Sequence, residues 1–225
     1  MNRLDAETLD AALHLLDRQV VDEDGLLVCN VDDLEISDPG DGSLAVTGLL
    51  VGGAALVPRF SGRAGRWLRS TWSRLGVEQE DRDVPRWIDL RTVGVLDSAV
   101  VLTAKREGLL GLQPPAGSGV THRRIVDLLD LPVRSDDGTP LGVVLDVRLA
   151  PGSARYEVVE LVVGRGRPGT LLGYDRGNLN GPWMVARIVK ILHRHTGQLP
   201  WDRVVSVEWG EAVTVRGGLD PLQGS

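Results

Sequence analysis

The sequence predicts a mostly β protein with a few helices: two tandem small β-barrels, each with an inserted amphipathic helix. Three observations lead there: an internal repeat, short β-branched runs bounded by turn formers, and a Pro/Gly-rich stretch between the two copies. The repeat comes first because overlooking one misassigns the whole fold. LLDRQVVDEDGLLVCNVDDLEI at 15–36 lies over LLDLPVRSDDGTPLGVVLDVRL at 128–149 without a gap, at an offset of 113 residues. VTGLLVGG at 46–53 matches VVELVVGR at 158–165 at an offset of 112, and Trp67 matches Trp183 at 116. Near the ends, Pro85-Arg86-Trp87 answers Leu199-Pro200-Trp201. The drift in offset places insertions in loops, where added length costs little. Between the copies, GLQPPAGSG at 111–119 lacks apolar periodicity and concentrates turn formers, which reads as a linker. The expected domains are therefore 1–110, with an N-terminal helix, and 121–225, joined through 111–120.

Within each copy the signals are those of strands. An amphipathic helix over Asp5 to Leu16 opens the chain, with Leu9, Leu13 and Leu16 on one side. Gln19 to Asp22, the turn Glu23-Asp24-Gly25, and Leu26 to Leu34 read as a hairpin, because Gly after Asp supplies the positive φ of a tight turn. Pro132 to Arg134, the turn Ser135-Asp136-Asp137-Gly138 and Leu141 to Leu149 repeat it. Leu44 to Leu50 is mirrored by Tyr156 to Val163. Trp87 to Val95 and Ala99 to Leu102 are mirrored by Trp201 to Trp209 and Ala212 to Arg216. Strands this short, at this spacing, predict a small closed or nearly closed barrel. The inserted helices carry the stripes Trp67, Leu68, Thr71, Trp72, Leu75 and Met184, Val185, Ile188, Val189, Leu192, the second opened by Pro182. On this reading the repeated hairpins superpose, and Trp87 and Trp201 fill equivalent buried positions.

Composition narrows the function classes. Hydrophobic residues make up 42% and charged residues 25%, as in ordinary globular proteins, which argues against disorder. No apolar run approaches the roughly 20 residues of a membrane span. The N-terminus lacks the apolar core and cleavage site of a secretory signal, so a cytoplasmic location, with a peripheral membrane position also open, is expected. A single cysteine, Cys29, excludes an internal disulfide and any multi-thiolate metal site; lying in an apolar run, it reads as a buried strand residue. The net charge of −6 disfavours a protein that coats nucleic acid. Charge is unevenly spread: 58–77 holds five arginines and no acid.

No catalytic constellation emerges. His193 and His195 stand two apart, whereas a helical metal pair needs i, i+3 or i, i+4. His14 and His122 are isolated. Asp32-Asp33 and Asp136-Asp137 are adjacent, so on a strand they point to opposite faces and suit turns or solvated faces. The run GRGRPG at 164–169 lacks the Lys-Ser/Thr of a phosphate loop, and Pro168 removes a donor such a loop would use. Gly117-Ser118-Gly119 misses the spacing of a nucleophile elbow. No catalytic residue, metal ligand or cofactor is expected.

The hydrophobic pair, short strand, Asp-Asp-Gly turn and LGVVLDV at 141–147, with the later PWDRV at 200–204, resemble the PRC-barrel domain. That family includes the cytoplasmic barrel of the photosynthetic reaction-centre H subunit and one domain of a ribosome-maturation factor. The resemblance covers most of 120–216 and, more weakly, 12–103; Cys29-Asn30 stands where Gly142 stands in the second copy. It implies a small β-barrel used for assembly with a larger partner, and it implies no active site.

What remains is charge. Arg63, Arg66 and Arg69 near the first inserted helix, and Arg187, Lys190 and Arg194 on the second, form basic faces opposite the apolar stripes. Solvated outer faces explain them as simply as a binding role does. The leading reading is a non-enzymatic assembly or adaptor protein binding a protein partner or complex, with an anionic surface (phospholipid heads or RNA) and a homodimer through the barrels also open. The alternatives are a ribosome- or RNA-associated maturation factor and an enzyme with a site between the barrels.

Overall fold

The computed structural model describes residues 2–56, 85–152, 155–164 and 196–221. The chain is mostly β, with two one-turn α-helices, α1 (Ala11–His14) and α2 (Gly53–Leu56), among the described residues. It divides into two units, Met1–Val126 with Leu149–Glu157, and Asp127–Arg148 with Val158–Ser225.

The first unit opens with a 3-10 turn (Arg3–Asp5), a two-residue strand β1 (Leu9–Asp10) and α1, in place of the long helix the leucine spacing predicts. Burial explains the difference. Leu9, Ala11, Leu15 and Leu16 are buried, whereas Leu13, which a helix would bury beside Leu9 and Leu16, is 60% exposed. The turn is closed by the Asp10 N–H, which donates to His14 Nδ1 at 3.0 Å.

Then follow β2 (Gln19–Val21), β3 (Leu27–Asn30), β4 (Asp33–Asp38), β5 (Ala45–Val51), β6 (Arg86–Asp89), a 3-10 turn (Leu90–Thr92), β7 (Val93–Leu96), β8 (Val100–Leu102), β9 (Gly111–Leu112) and β10 (Thr121–Arg124). One sheet runs β3-β2-β8-β7. In the other, β4 pairs with β10 and β5, β5 with β6, and β6 with β9. The second unit holds β11 (Pro132–Ser135), β12 (Pro140–Gly152), β13 (Arg155–Gly164), β14 (Thr196–Pro200), a 3-10 turn (Trp201–Arg203), β15 (Val204–Glu208), β16 (Ala212–Val215) and β17 (Asp220–Pro221); the inner ends of β12 and β13, 149–152 and 155–157, belong to the first unit.

The repeat is written into the pairing. Val20 faces Cys29 across one hairpin and Val133 faces Gly142 across the other, and both hairpins shift register at the next residue. The parallel pairs Val20↔Val100 and Val133↔Val213 also correspond, each member displaced by 113. β5 faces β6 through Leu49↔Ile88, and β13 faces β14 through Leu161↔Leu199. Asp17 and Asp130 share a positive φ, 62° and 64°, and their N–H groups donate to Val31 and Val144 carbonyls at 2.9 Å. The turn glycines Gly25 and Gly138 adopt φ 78° and 85°, as the Asp-Gly turns require. Core residues match as well: Leu15 and Leu128, Val20 and Val133, Leu34 and Val147, Leu49 and Leu161, and Val100 and Val213 are all buried.

Two expected features shift. β3 and β4 are separate strands, broken at Val31 and Asp32, where the second copy runs as the single strand β12. Gly111–Leu112, expected in the linker, pairs with β6 as Asp220–Pro221 pairs with β14. Trp87 and Trp201 are not equivalent. Register places Trp87 opposite Leu50 and its counterpart Gln198 opposite Val162, while Trp201 begins the 3-10 turn that in the first copy begins with Leu90. Matching Pro-x-Trp with Leu-Pro-Trp follows residue identity, whereas burial follows the turn: Leu90 is buried and Trp201 half-buried.

Asp22 ties the first hairpin together from a buried position. Its Oδ1 accepts the N–H groups of Leu26 (2.8 Å) and Asp24 (3.1 Å), and its Oδ2 that of Arg106 (3.3 Å). Desolvation pushes its pKa up, but donation from the Leu26, Arg106 and Asp24 N–H groups outweighs this and holds the carboxyl below its usual 3.8. A depressed folded-state pKa contributes stability above the unfolded value and loses it as pH falls through the folded one. Asp22→Asn is therefore expected to lower the urea midpoint at pH 6 and to converge with the wild type below pH 3.8. Parallel midpoint curves for the two proteins from pH 6 downward would remove Asp22 from the acid response.

Candidate functional site

The six basic residues expected to bind a partner, Arg63, Arg66, Arg69, Arg187, Lys190 and Arg194, lie outside the described residues. So do His193, His195, the stretches expected to form the inserted helices, and the GRGRPG run beyond Gly164.

Among the described residues the most developed polar cluster belongs to the first unit and centres on Glu35. Its neighbours Leu34 and Ile36 are apolar, so alternation along β4 directs Glu35 away from the face they occupy. That opposite face is covered too: Asp33, Leu34, Glu35 and Ile36 are all buried, and the Glu35 side chain is 2% exposed. A carboxylate so placed requires donors. Thr47 Oγ1 and Trp87 Nε1 each donate to Oε2 at 2.7 Å, and Gln113 Nε2 donates to Oε1 at 2.7 Å. His122 Nδ1 lies 2.9 Å from Oε1, with Gln113 Nε2 3.1 Å from the same ring nitrogen.

Local sequence makes room for this arrangement. Gly48 faces Glu35 across β4 and β5, and a Cβ there would run into the Trp87 indole ring, so glycine is what lets Trp87 reach the carboxylate. In the second copy Arg148 occupies the Glu35 position and Glu160 the Gly48 position, and Arg148 Nη1 donates to Glu160 Oε2 at 2.6 Å. One copy thus satisfies the position with an ion pair, the other with a lone carboxylate fed by side chains from β5, β6, residue 113 and β10.

Thr47, Trp87 and Gln113 thus engage both Glu35 oxygens at 2.7 Å, and the carboxylate joins β4 to β5, β6 and residue 113. Asp33, expected on a turn or solvated face, is fully buried; its Oδ1 accepts the Leu34 N–H at 2.8 Å and the Val126 N–H at 3.4 Å. Asp137 keeps the expected turn role, accepting the Thr139 N–H at 2.9 Å. Cys29 is half-buried, and burial, reinforced by Asp32, pushes its thiol up to about 11, which leaves almost no thiolate at neutral pH. Among the described residues no group of three or more His, Cys, Asp or Glu is arranged to hold a metal ion, and no helix is long and apolar enough to cross a membrane.

Sequence gives little sign of this cluster. Glu35 stands in an alternating strand, Gln113 lies in the expected linker, and His122 is an isolated ring. Only Gly48 inside a β-branched strand signals a close approach. No protein-family model matches the chain, and no curated protein matches it at a significant level.

Proposed function

We propose that the chain is a cytoplasmic, non-enzymatic assembly module: two tandem small β-barrels of the PRC-barrel type, with domains at 1–110 and 121–225, that bind a larger macromolecular partner. The observation supporting it is the recurrence of one pairing scheme in both copies, in which the first hairpin meets the last through a parallel pair, Val20↔Val100 and Val133↔Val213. A small barrel needs its first and last strands adjacent, and needs strands that bend from one sheet into the other. The 3-10 turns at Leu90–Thr92 and Trp201–Arg203, between β6 and β7 and between β14 and β15, are suited to that bending. The basic faces at Arg63, Arg66, Arg69 and at Arg187, Lys190, Arg194 supply the contact with the partner.

Changing Arg63, Arg66 and Arg69 together to Glu is expected to leave stability within about 1 kcal/mol, as at exposed sites, and to abolish recovery of the partner from native lysate at low salt. A triple variant that unfolds, yet recovers the partner in its folded fraction, would make these arginines internal ion-pair partners and move the binding face to Arg187, Lys190 and Arg194.

A further inference from the structure

The first unit does not end where the Pro/Gly-rich connection begins. It takes in residues up to Val126 and again Leu149–Glu157, on the far side of that connection. β10 lies along β4 through Thr121↔Asp38, His122↔Ser37, Arg123↔Ile36 and Arg124↔Glu35. Tyr156 and Glu157 pair with Val46 and Ala45 of β5. Side chains reinforce the backbone ladder. His122 reaches Glu35, Arg124 Nη1 donates to the Ala54 carbonyl at 2.9 Å, Arg123 Nε lies 3.7 Å from Asp38 Oδ2, and the Val126 N–H reaches Asp33. Ile125 is completely buried and Tyr156 nearly so. Between Gln113 and Val120, by contrast, residues 114–119 are exposed.

We propose that the edge of β4, the Glu35 cluster and the start of β5 form a docking surface for the C-terminal part of this same chain, so that the covalent connection at 114–119 is dispensable once the protein has folded. The occupant is residues 121–126, 149–152 and 155–157, delivered on a polypeptide that begins after the connection. Strand addition to a sheet edge supplies main-chain hydrogen bonds, and the side chains on alternate positions supply specificity. His122 and Gln113 play unequal parts. Gln113 precedes the connection and prepares the carboxylate, whereas His122 arrives with the docking strand.

The test uses the full chain with a protease recognition sequence inserted between Gly117 and Ser118. After cleavage, the two fragments are expected to co-elute at the volume of the uncut protein, with an unchanged far-ultraviolet circular dichroism spectrum, at micromolar concentration. Separation into two species, or loss of the folded spectrum on cleavage, overturns the proposal. In the same cleavable chain His122→Ala is expected to fold when uncut and, once cut, to dissociate at about tenfold higher concentration, since a hydrogen bond to a charged group is of that order. If His122→Ala does not fold, His122→Phe takes its place, since it fills the ring's space and removes the Nδ1 contact with Glu35, with the same tenfold weakening expected. A shift of less than about twofold in the variant that folds would overturn the assignment of the Glu35 cluster to the docking surface.

Discussion

Glu35→Ala is expected to cost about 3–5 kcal/mol of folding stability, the range for removing one member of a buried charged cluster. The side chain is almost wholly buried, and its loss strands the Thr47 hydroxyl, the Trp87 indole N–H and the Gln113 amide at once, all now within 2.7 Å of it. Each orphaned donor carries its own desolvation penalty, of about 1–3 kcal/mol when buried. Glu35→Gln should be milder, because the amide retains one oxygen to accept from part of this set. Urea midpoints read the effect directly, and a double-mutant cycle with Trp87→Phe isolates the indole contact. An alanine variant within about 1 kcal/mol of the wild type would mean that water replaces the carboxylate at no cost, and the cluster would lose its structural standing.

Gly142→Ala is expected to reach a similar size, about 3–5 kcal/mol, by a different route. Gly142 adopts φ 146°, a conformation L side chains rarely take, and a Cβ built there would lie 2.6 Å from the Gly164 carbonyl oxygen and 2.8 Å from its carbon. The obstacle is backbone, so no rotamer change relieves it. The first copy provides the control: Cys29 stands at the corresponding register position, opposite Val20, and carries a side chain there already. Cys29→Ala should therefore stay within about 1–1.5 kcal/mol. If thermal or urea unfolding ranks the two substitutions the other way round, the close approach of Gly142 to Gly164 is not what constrains this strand.

The contrast between these two positions marks how far residue identity alone discloses the fold. Matching LLD-x-x-x-x-x-x-DG to its second occurrence locates both hairpins, because a turn needing positive φ leaves a glycine behind and a buried hairpin leaves branched apolar residues around it. The later pairing is misaligned by three residues when tryptophan is matched to tryptophan, since Trp87 and Trp201 look alike in sequence while Leu90 and Trp201 share a place in the fold. Leu9, Leu13 and Leu16 satisfy a helical period equally well whether or not Leu13 is buried, so periodicity alone does not decide the N-terminal segment. The Glu35 cluster is hidden for another reason. Its donors come from positions 47, 87, 113 and 122, and only long-range strand pairing brings them together. Of the expected binding residues, none falls among those described, and their role rests on charge pattern and the charge-reversal experiment.

The parallel pairs that join the first hairpin of each copy to its last have a kinetic corollary. Val20 meets Val100, and Val133 meets Val213, across 80 residues of chain in each case. Such closures lose chain entropy before they gain contact energy, which places folding with the slow, high-contact-order β proteins, on the order of milliseconds to seconds. On the ribosome the effect is sharper. At roughly 5–20 residues per second, the first hairpin waits several seconds for Val100 and Val101 to be synthesised. During that wait β2 exposes the edge that β8 will cover, so the nascent chain, rather than the finished protein, is the form most open to wrong strand partners.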